Sequence, residues 1–315
     1  MKFRPFHPHC KPFSAAATTI NAFSFGALVL IVPILASCSR TTVPGTLDSK
    51  EHAMSNAART TRIAFLHHST GEVIWKGGVP QFIQSWNQAH STSYEITELA
   101  YPDTAGGHTW LRKHLPARIF FKLIKDHYPW DNQPYDYWNL WVTHTGESHD
   151  RSELNLDDLA RSYDVIVFKH CFPVSEVKPD DGPPSVSSPK QTLANYKLQY
   201  EALKLRMHQF PQTRFIVWTG PALTQAVTNP EDAERARQFS AWVKNTWDEK
   251  GDNIFVWDFR ELETEGGLYL KPENAYGPEN SHPSEALAAK VAPLLGQRIV
   301  DVIEGRGDSS SLAGQ

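Results

Sequence analysis

The stretch RIAFLHHSTGEVIW, residues 62–75, changes character halfway along. Residues 63–66 form an apolar run with the composition of a strand, which breaks into two histidines, a serine, a threonine and a glycine. A strand that enters a helix through a tight turn of this kind is the first half of a βα unit. The reading of the fold therefore starts here and extends along the chain.

The alternation continues. Strand-like segments at 63–67, 94–99, 164–169, 214–218 and 253–259 are separated by helical patterns at 79–89, 192–210, 230–249 and 283–304. Strands alternating with helices imply parallel neighbours joined by crossover helices. The expectation is an α/β fold, a doubly wound, mostly parallel five-stranded sheet flanked by helices, spanning residues 61–304. Two segments interrupt the rhythm: an aromatic-rich insertion at about 101–160, and a Pro- and Ser-rich stretch at 172–190. Loops this long in a compact domain are usually functional or disordered, and the aromatics of the first argue for order. In open α/β sheets ligands collect beyond the carboxyl ends of the strands, so residues just past each strand carry the functional reading.

The chain has 315 residues, 40% hydrophobic and 21% charged, which is globular composition. Its first 37 residues differ from the rest: Lys2, Arg4 and Lys11 precede an uncharged apolar run, as in a secretory signal. Leu35-Ala36-Ser37-Cys38 resembles the lipobox of bacterial lipoproteins, which implies that Cys38 is the lipid anchor and the membrane a partner through it. The apolar run is also long enough to serve as an uncleaved signal anchor. Residues 38–60 read as a flexible tether and 305–315 as a disordered tail, whose Arg306-Gly307-Asp308 is taken as chance. The expected location is the cell envelope, exported and lipid-anchored. Cys171 is then the only cysteine not assigned to the signal or the anchor, so no intramolecular disulfide is expected. Without the signal, 28 Lys and Arg face 35 Asp and Glu, a net charge of −7 with no basic stripe, which argues against nucleic acid as a partner.

Ser69 follows the first strand. A serine on a tight strand-to-helix turn exposes its hydroxyl, and the amides of Ser69 and Thr70 can point at an oxyanion there. A serine nucleophile needs a base, and the base needs a group that orients its ring. PENSHPSEALAAKVAPLL supplies both near the far end of the chain: His282 stands before the final helix, and Glu279 three residues earlier can accept from its Nδ1.

A serine after the first strand, paired with an acid-x-x-His motif before the last helix, resembles the SGNH/GDSL hydrolase superfamily. FLHHSTG, VIVFKHCFP, FIVWTGPALT and SHPS together resemble an uncharacterised bacterial branch of it, with HHS in place of Gly-Asp-Ser, over about residues 62–304. The resemblance implies a flavodoxin-like three-layer sandwich with Ser69 as nucleophile, His282 as general base and then acid, and Glu279 as orienting carboxylate. The superfamily normally has Asp at that last position, so Asn280 and Asp258 are fallbacks. It also implies an oxyanion donor from a Gly after the second strand, where Gly106 or Gly107 stands, and an Asn in a Gly-x-Asn-Asp motif after the third. This chain has no such motif, and Lys169 or His170 would have to replace the Asn.

The implied activity is a serine esterase that removes short acyl groups, such as acetyl, from a carbohydrate or small ester without metal or organic cofactor. An O-acyltransferase of the same fold and a non-catalytic glycan-binding surface lipoprotein remain open. His67 and His68 point to opposite faces if both lie in the strand, so they are read as one buried and one cleft residue rather than as a metal pair. Cys171 is either a reactive thiol beside basic groups or a small buried apolar residue. The aromatics from Tyr101 to Trp141 either stack on sugar rings or form the core of a lid; Trp218 and Trp242 are read as core.

Overall fold

Val, Ile, Phe, Leu and Trp fill the strands of a single parallel sheet, because strands covered by helices on both faces have no side left for water. The computed structural model describes residues 59–102, 131–146 and 154–315. The expected signal, tether and Cys38 anchor lie outside them, as do Gly106, Gly107, Trp110, Tyr128 and Trp130. In chain order the elements are β1 (Thr61–His67), α1 (Thr70–Lys76), α2 (Val79–His90), β2 (Tyr94–Ala100), α3 (Pro134–Trp138) and α4 (Leu156–Ser162). They continue with β3 (Val165–Phe168), α5 (Leu193–Met207), β4 (Arg214–Trp218), α6 (Pro230–Trp242), β5 (Ile254–Trp257) and α7 (Phe259–Thr264). A small hairpin, β6 (Ala275–Gly277) and β7 (Asn280–Pro283), leads into the closing helix α8 (Glu285–Ile303).

The five strands run β2-β1-β3-β4-β5, all parallel. The segments IAFL, VIVF, FIVW and IFVW of β1, β3, β4 and β5 are buried throughout, whereas β2, at one edge, alternates in exposure. The chain builds outward from β1 to β2, then returns to β3 on the other side of β1. That reversal is the switch point at which such sheets leave a crevice, and Ser69 and Lys169 follow the two strands that flank it.

Each face of the sheet has its own core. Phe65, Val167, Ile216 and Phe255 pack under α1, α2 and α8, while Leu66, Phe168, Phe215 and Val256 pack under α3, α5 and α6. Each fully buried large apolar side chain contributes roughly 1.5–3 kcal/mol. Among the described residues of the insertion, Tyr101, Tyr137 and Trp141 belong to this second core. Trp141 Nε1 donates to the Tyr101 hydroxyl at 2.6 Å, and the Tyr137 hydroxyl donates to the Lys169 carbonyl at 3.0 Å. These three rings are sealed against the sheet and cannot serve as sugar platforms. Trp218 is buried and Trp242 packs on the edge of the core.

Two boundaries differ from the sequence reading. α6 stops at Trp242 and runs on as a π-helical turn, Val243–Trp247, and β5 stops before Asp258, which caps α7 by accepting from the Glu261 amide at 3.3 Å. The tail is also a correction. Residues 305–315 are docked rather than frayed, because the buried Arg298 donates to Gly307 O at 2.6 Å and Ser310 Oγ at 2.9 Å, while the Asp258 amide donates to Leu312 O at 2.9 Å. Gly307 must be glycine: a Cβ there would meet the Phe255 ring at 2.5 Å. Within Arg306-Gly307-Asp308 only Gly307 is buried; Arg306 and Asp308 are exposed and bonded within the chain, Arg306 to Asp301 and Asp308 to the Gly251 amide.

Candidate active site

The turn after β1 is held under strain. Ser69 adopts φ 51°, ψ −105°, outside the regions that L-residues ordinarily occupy, and stands immediately before α1. Gly71 permits the turn, because a Cβ at that position would lie 2.3 Å from His67 Cβ. Gly77 does the same at the other end of α1, where a Cβ would meet the Ala288 carbonyl at 2.5 Å. Two glycines thus let a short helix fit between β1 and α8, which sets Ser69 beside the hairpin that precedes α8.

His282 sits on β7 in that hairpin. Its Nε2 is hydrogen-bonded to Ser69 Oγ, and its Nδ1 lies 2.7 Å from Asn280 Oδ1. The His282 backbone amide also donates to Asn280 Oδ1 at 3.2 Å, which fixes the orientation of the side-chain amide. An amide oxygen can only accept, so Nδ1 carries the proton and Nε2 is the acceptor for the serine hydroxyl. Burial, with the Lys169 charge added, holds His282 below the ordinary imidazole range. It is therefore neutral at neutral pH, the form a general base requires. Phe172 closes one side of the ring edge-on, with centroids 5.2 Å apart.

The loop after β4 fastens the hairpin. The Thr224 amide donates to Ser281 Oγ at 3.0 Å, its hydroxyl donates to Pro278 O at 2.6 Å, and Ser284 caps α8 while its amide donates to Asn274 O at 2.8 Å. Glu263 ties the same region together, accepting from the Ala222 amide at 2.7 Å while its carbonyl accepts from Asn274 Nδ2 at 2.9 Å.

Glu279 is a correction. It stands exposed at the turn of the hairpin and makes no hydrogen bond or ion pair among the described residues, whereas Asn280 reaches the ring from two residues away. Asp258 is occupied elsewhere, bonded to Thr219 and Lys244. Of the two adjacent histidines, His67 is the buried one and not a cleft residue: it lies beneath α1, with Nε2 2.9 Å from Glu98 Oε1, and burial pushes its imidazole down to about 3. His68 is half-buried, with Nε2 donating to the Pro102 carbonyl at 3.0 Å.

His170 is not an oxyanion donor either. Its ring lies in the aromatic core, edge-on to Tyr137 at 4.6 Å, and burial pushes it down to about 3. Lys169 is 1% exposed and donates to His170 O at 3.2 Å and Cys171 Sγ at 3.1 Å, so two of its three N–H groups are spent within its own loop. Its charge still acts on His282. The amides of Ser69 and Thr70 have no acceptor among the described residues, which leaves them available to a developing oxyanion. Cys171 is half-buried rather than sealed in the core. Among the described residues, no group of three or more His, Cys, Asp or Glu side chains is gathered as a metal ion would need.

Sequence reasoning brought Ser69 and His282 together and named Asn280 only in reserve. It missed Phe172 and the Thr224–Ser281 clasp, for which only the FIVWTGPALT and SHPS motifs hinted at a shared location. Comparison with protein-family models gives no match, and a search of curated proteins gives none either.

Proposed function

We propose that the protein is a serine-dependent esterase that removes short acyl groups, through an acyl-enzyme, from a carbohydrate or other small ester. The observation that carries this reading is the Ser69 Oγ to His282 Nε2 hydrogen bond, with Nδ1 held by Asn280. In the proposed reaction Ser69 Oγ attacks the ester carbonyl carbon as its proton passes to His282 Nε2. The tetrahedral oxyanion is received by the amides of Ser69 and Thr70. Collapse breaks the bond to the alcohol, which takes the proton from His282. Water then attacks the acyl-enzyme by the same route, with His282 again as base, and releases the acid and free Ser69.

Asn280 holds the tautomer and supplies no negative charge to steady the imidazolium, and Lys169 opposes it. The transition state is therefore less stabilised than with a carboxylate, and the acyl-enzyme should turn over slowly. The carbohydrate part of the proposal rests on the expected envelope location, which the lipobox-like Cys38 motif supports. The test is acetyl release from p-nitrophenyl acetate and from acetylated oligosaccharides by the purified full chain. Loss of release by a factor of about 10³ or more in both Ser69→Ala and His282→Ala supports the reading; equal rates in wild type and variants would remove it.

A further inference from the structure

Three ladder steps from β1, about 14 Å along the same carboxyl edge of the sheet, lies a polar cavity of about 110 Å³ between α6, its π-helical extension and α7. Its walls include Arg237, Ser240, Lys244, Asp258 and Arg260. Two of these are buried with an unused polar atom: Ser240, 2% exposed, has no partner for Oγ, and Arg260, 5% exposed, has none for Nε.

The other groups do not satisfy them. Asp258 is filled: Oδ1 accepts from Thr219 Oγ1 at 3.0 Å and the Glu261 amide at 3.3 Å, and Oδ2 from Lys244 Nζ at 2.5 Å. Glu234 is taken by Arg237 Nε at 2.7 Å and Nη2 at 2.6 Å. Arg260 has only carbonyls, with Nη2 on Leu268 O at 2.9 Å and Nη1 on Pro221 O at 3.4 Å, and no carboxylate within ion-pair distance among the described residues. Glu263 makes no hydrogen bond or ion pair with it among the described residues, and burial pushes that carboxyl up to about 8. Glu261 is exposed at the rim and stays solvated. The unpaired groups inside the cavity are thus the Arg260 Nε–H and the Ser240 hydroxyl, with Arg237 Nη1, two remaining Lys244 N–H groups and the Glu261 carboxylate on its more exposed side.

A buried donor left unpaired is destabilising, and the group that satisfies several donors at once is one with acceptors only. We propose that this cavity binds a small oxyanion, the carboxylate or phosphate group of a ligand, gripped by Arg260 and Ser240 inside and by Arg237 and Lys244 at the mouth. The site stands independently of the esterase reading.

The test is calorimetric titration of the full chain with inorganic phosphate and, separately, with acetate, at ionic strength held constant with chloride. The expected result is saturable one-to-one binding of at least one of them. Ser240→Ala and Arg237→Gln should weaken it about tenfold, and Ser69→Ala should leave it unchanged. Which anion binds tells whether the cavity takes a phosphate or a carboxylate. Arg260→Gln also breaks the links to Pro221 and Leu268, so Ser240→Ala, which removes no bond within the protein, decides the matter. No saturable heat above the chloride control, or binding unaltered in both variants, would mean that the cavity holds water only and would overturn the proposal.

Discussion

Ser69 and His282, 213 residues apart in the chain, share a hydrogen bond between Oγ and Nε2 across the crevice beside β1. The bond depends on two features at a distance from either atom: the glycines that seat α1, and the clasp of Thr224 on the β6–β7 hairpin.

The orienting group is a neutral amide, and this can be altered. Asn280→Asp keeps an acceptor for Nδ1 and adds a negative charge that favours the imidazolium. Esterase activity should rise about tenfold or more, and the acid limb of its pH profile should move upward. Asn280→Ala should lower kcat with little change in KM. Steady-state kinetics on p-nitrophenyl acetate provides the check, and a fall in activity for the aspartate variant would count against Asn280 as the ring's partner.

In the unaltered protein, burial and Lys169 hold His282 below the ordinary imidazole range, so the neutral base persists as pH falls past 6.5. The profile of kcat/KM should be flat through neutrality, with its acid limb below 6.5. An acid limb above 6.5 would show that another group controls the reaction.

His67 and His170 make the fold sensitive to acid. Each is neutral when folded down to about 3, and each takes a proton near 6.5 when unfolded. Between those values the unfolded chain binds more protons, so stability is lost as pH falls from 6.5 toward 3, by up to about 1.4 kcal/mol per pH unit for each histidine. His170→Phe removes one titration and two buried nitrogens that have no partner, in a pocket already lined by Tyr137, Phe168 and Tyr200. It should keep or gain stability at pH 7 and flatten the slope, as measured by urea denaturation at several pH values.

Gly71→Ala places a methyl group against His67 Cβ and forces the Ser69 turn to move. The expected cost is about 1–3 kcal/mol in stability, with activity reduced far more than stability. Gly307→Ala should cost a similar amount through Phe255 and leave activity unchanged. Equal effects of the two on activity would contradict the role given to the Ser69 turn.

The sheet was legible because each buried parallel strand is a continuous apolar run, and three of the long helices, α5, α6 and α8, begin at a recognisable cap: Thr192, Asn229 and Ser284 each accept from an amide three residues on. Ser69 and His282 were legible because strand ends and the entrance to the final helix are fixed by the same alternation. The rest depended on tertiary contacts. Glu279 has the right chemistry for a triad, yet a hairpin turn carries it away from the ring and leaves Asn280 in its place. His170 lies one position along from Lys169, just past the end of β3, and its ring turns into the aromatic core against Tyr137, Phe168 and Tyr200. The tail has the composition of a disordered end, but what anchors it is Arg298 on α8 bonding to the Gly307 carbonyl and the Ser310 hydroxyl, and composition does not record that.

The account is tested most directly by treating the full chain with a fluorophosphonate probe and locating the adduct by peptide mass, beside His282→Ala. Labelling at Ser69 that is lost in the variant is the predicted result. A folded protein that takes no label at Ser69, or takes it equally without His282, would contradict the claim that this hydrogen bond activates a nucleophile.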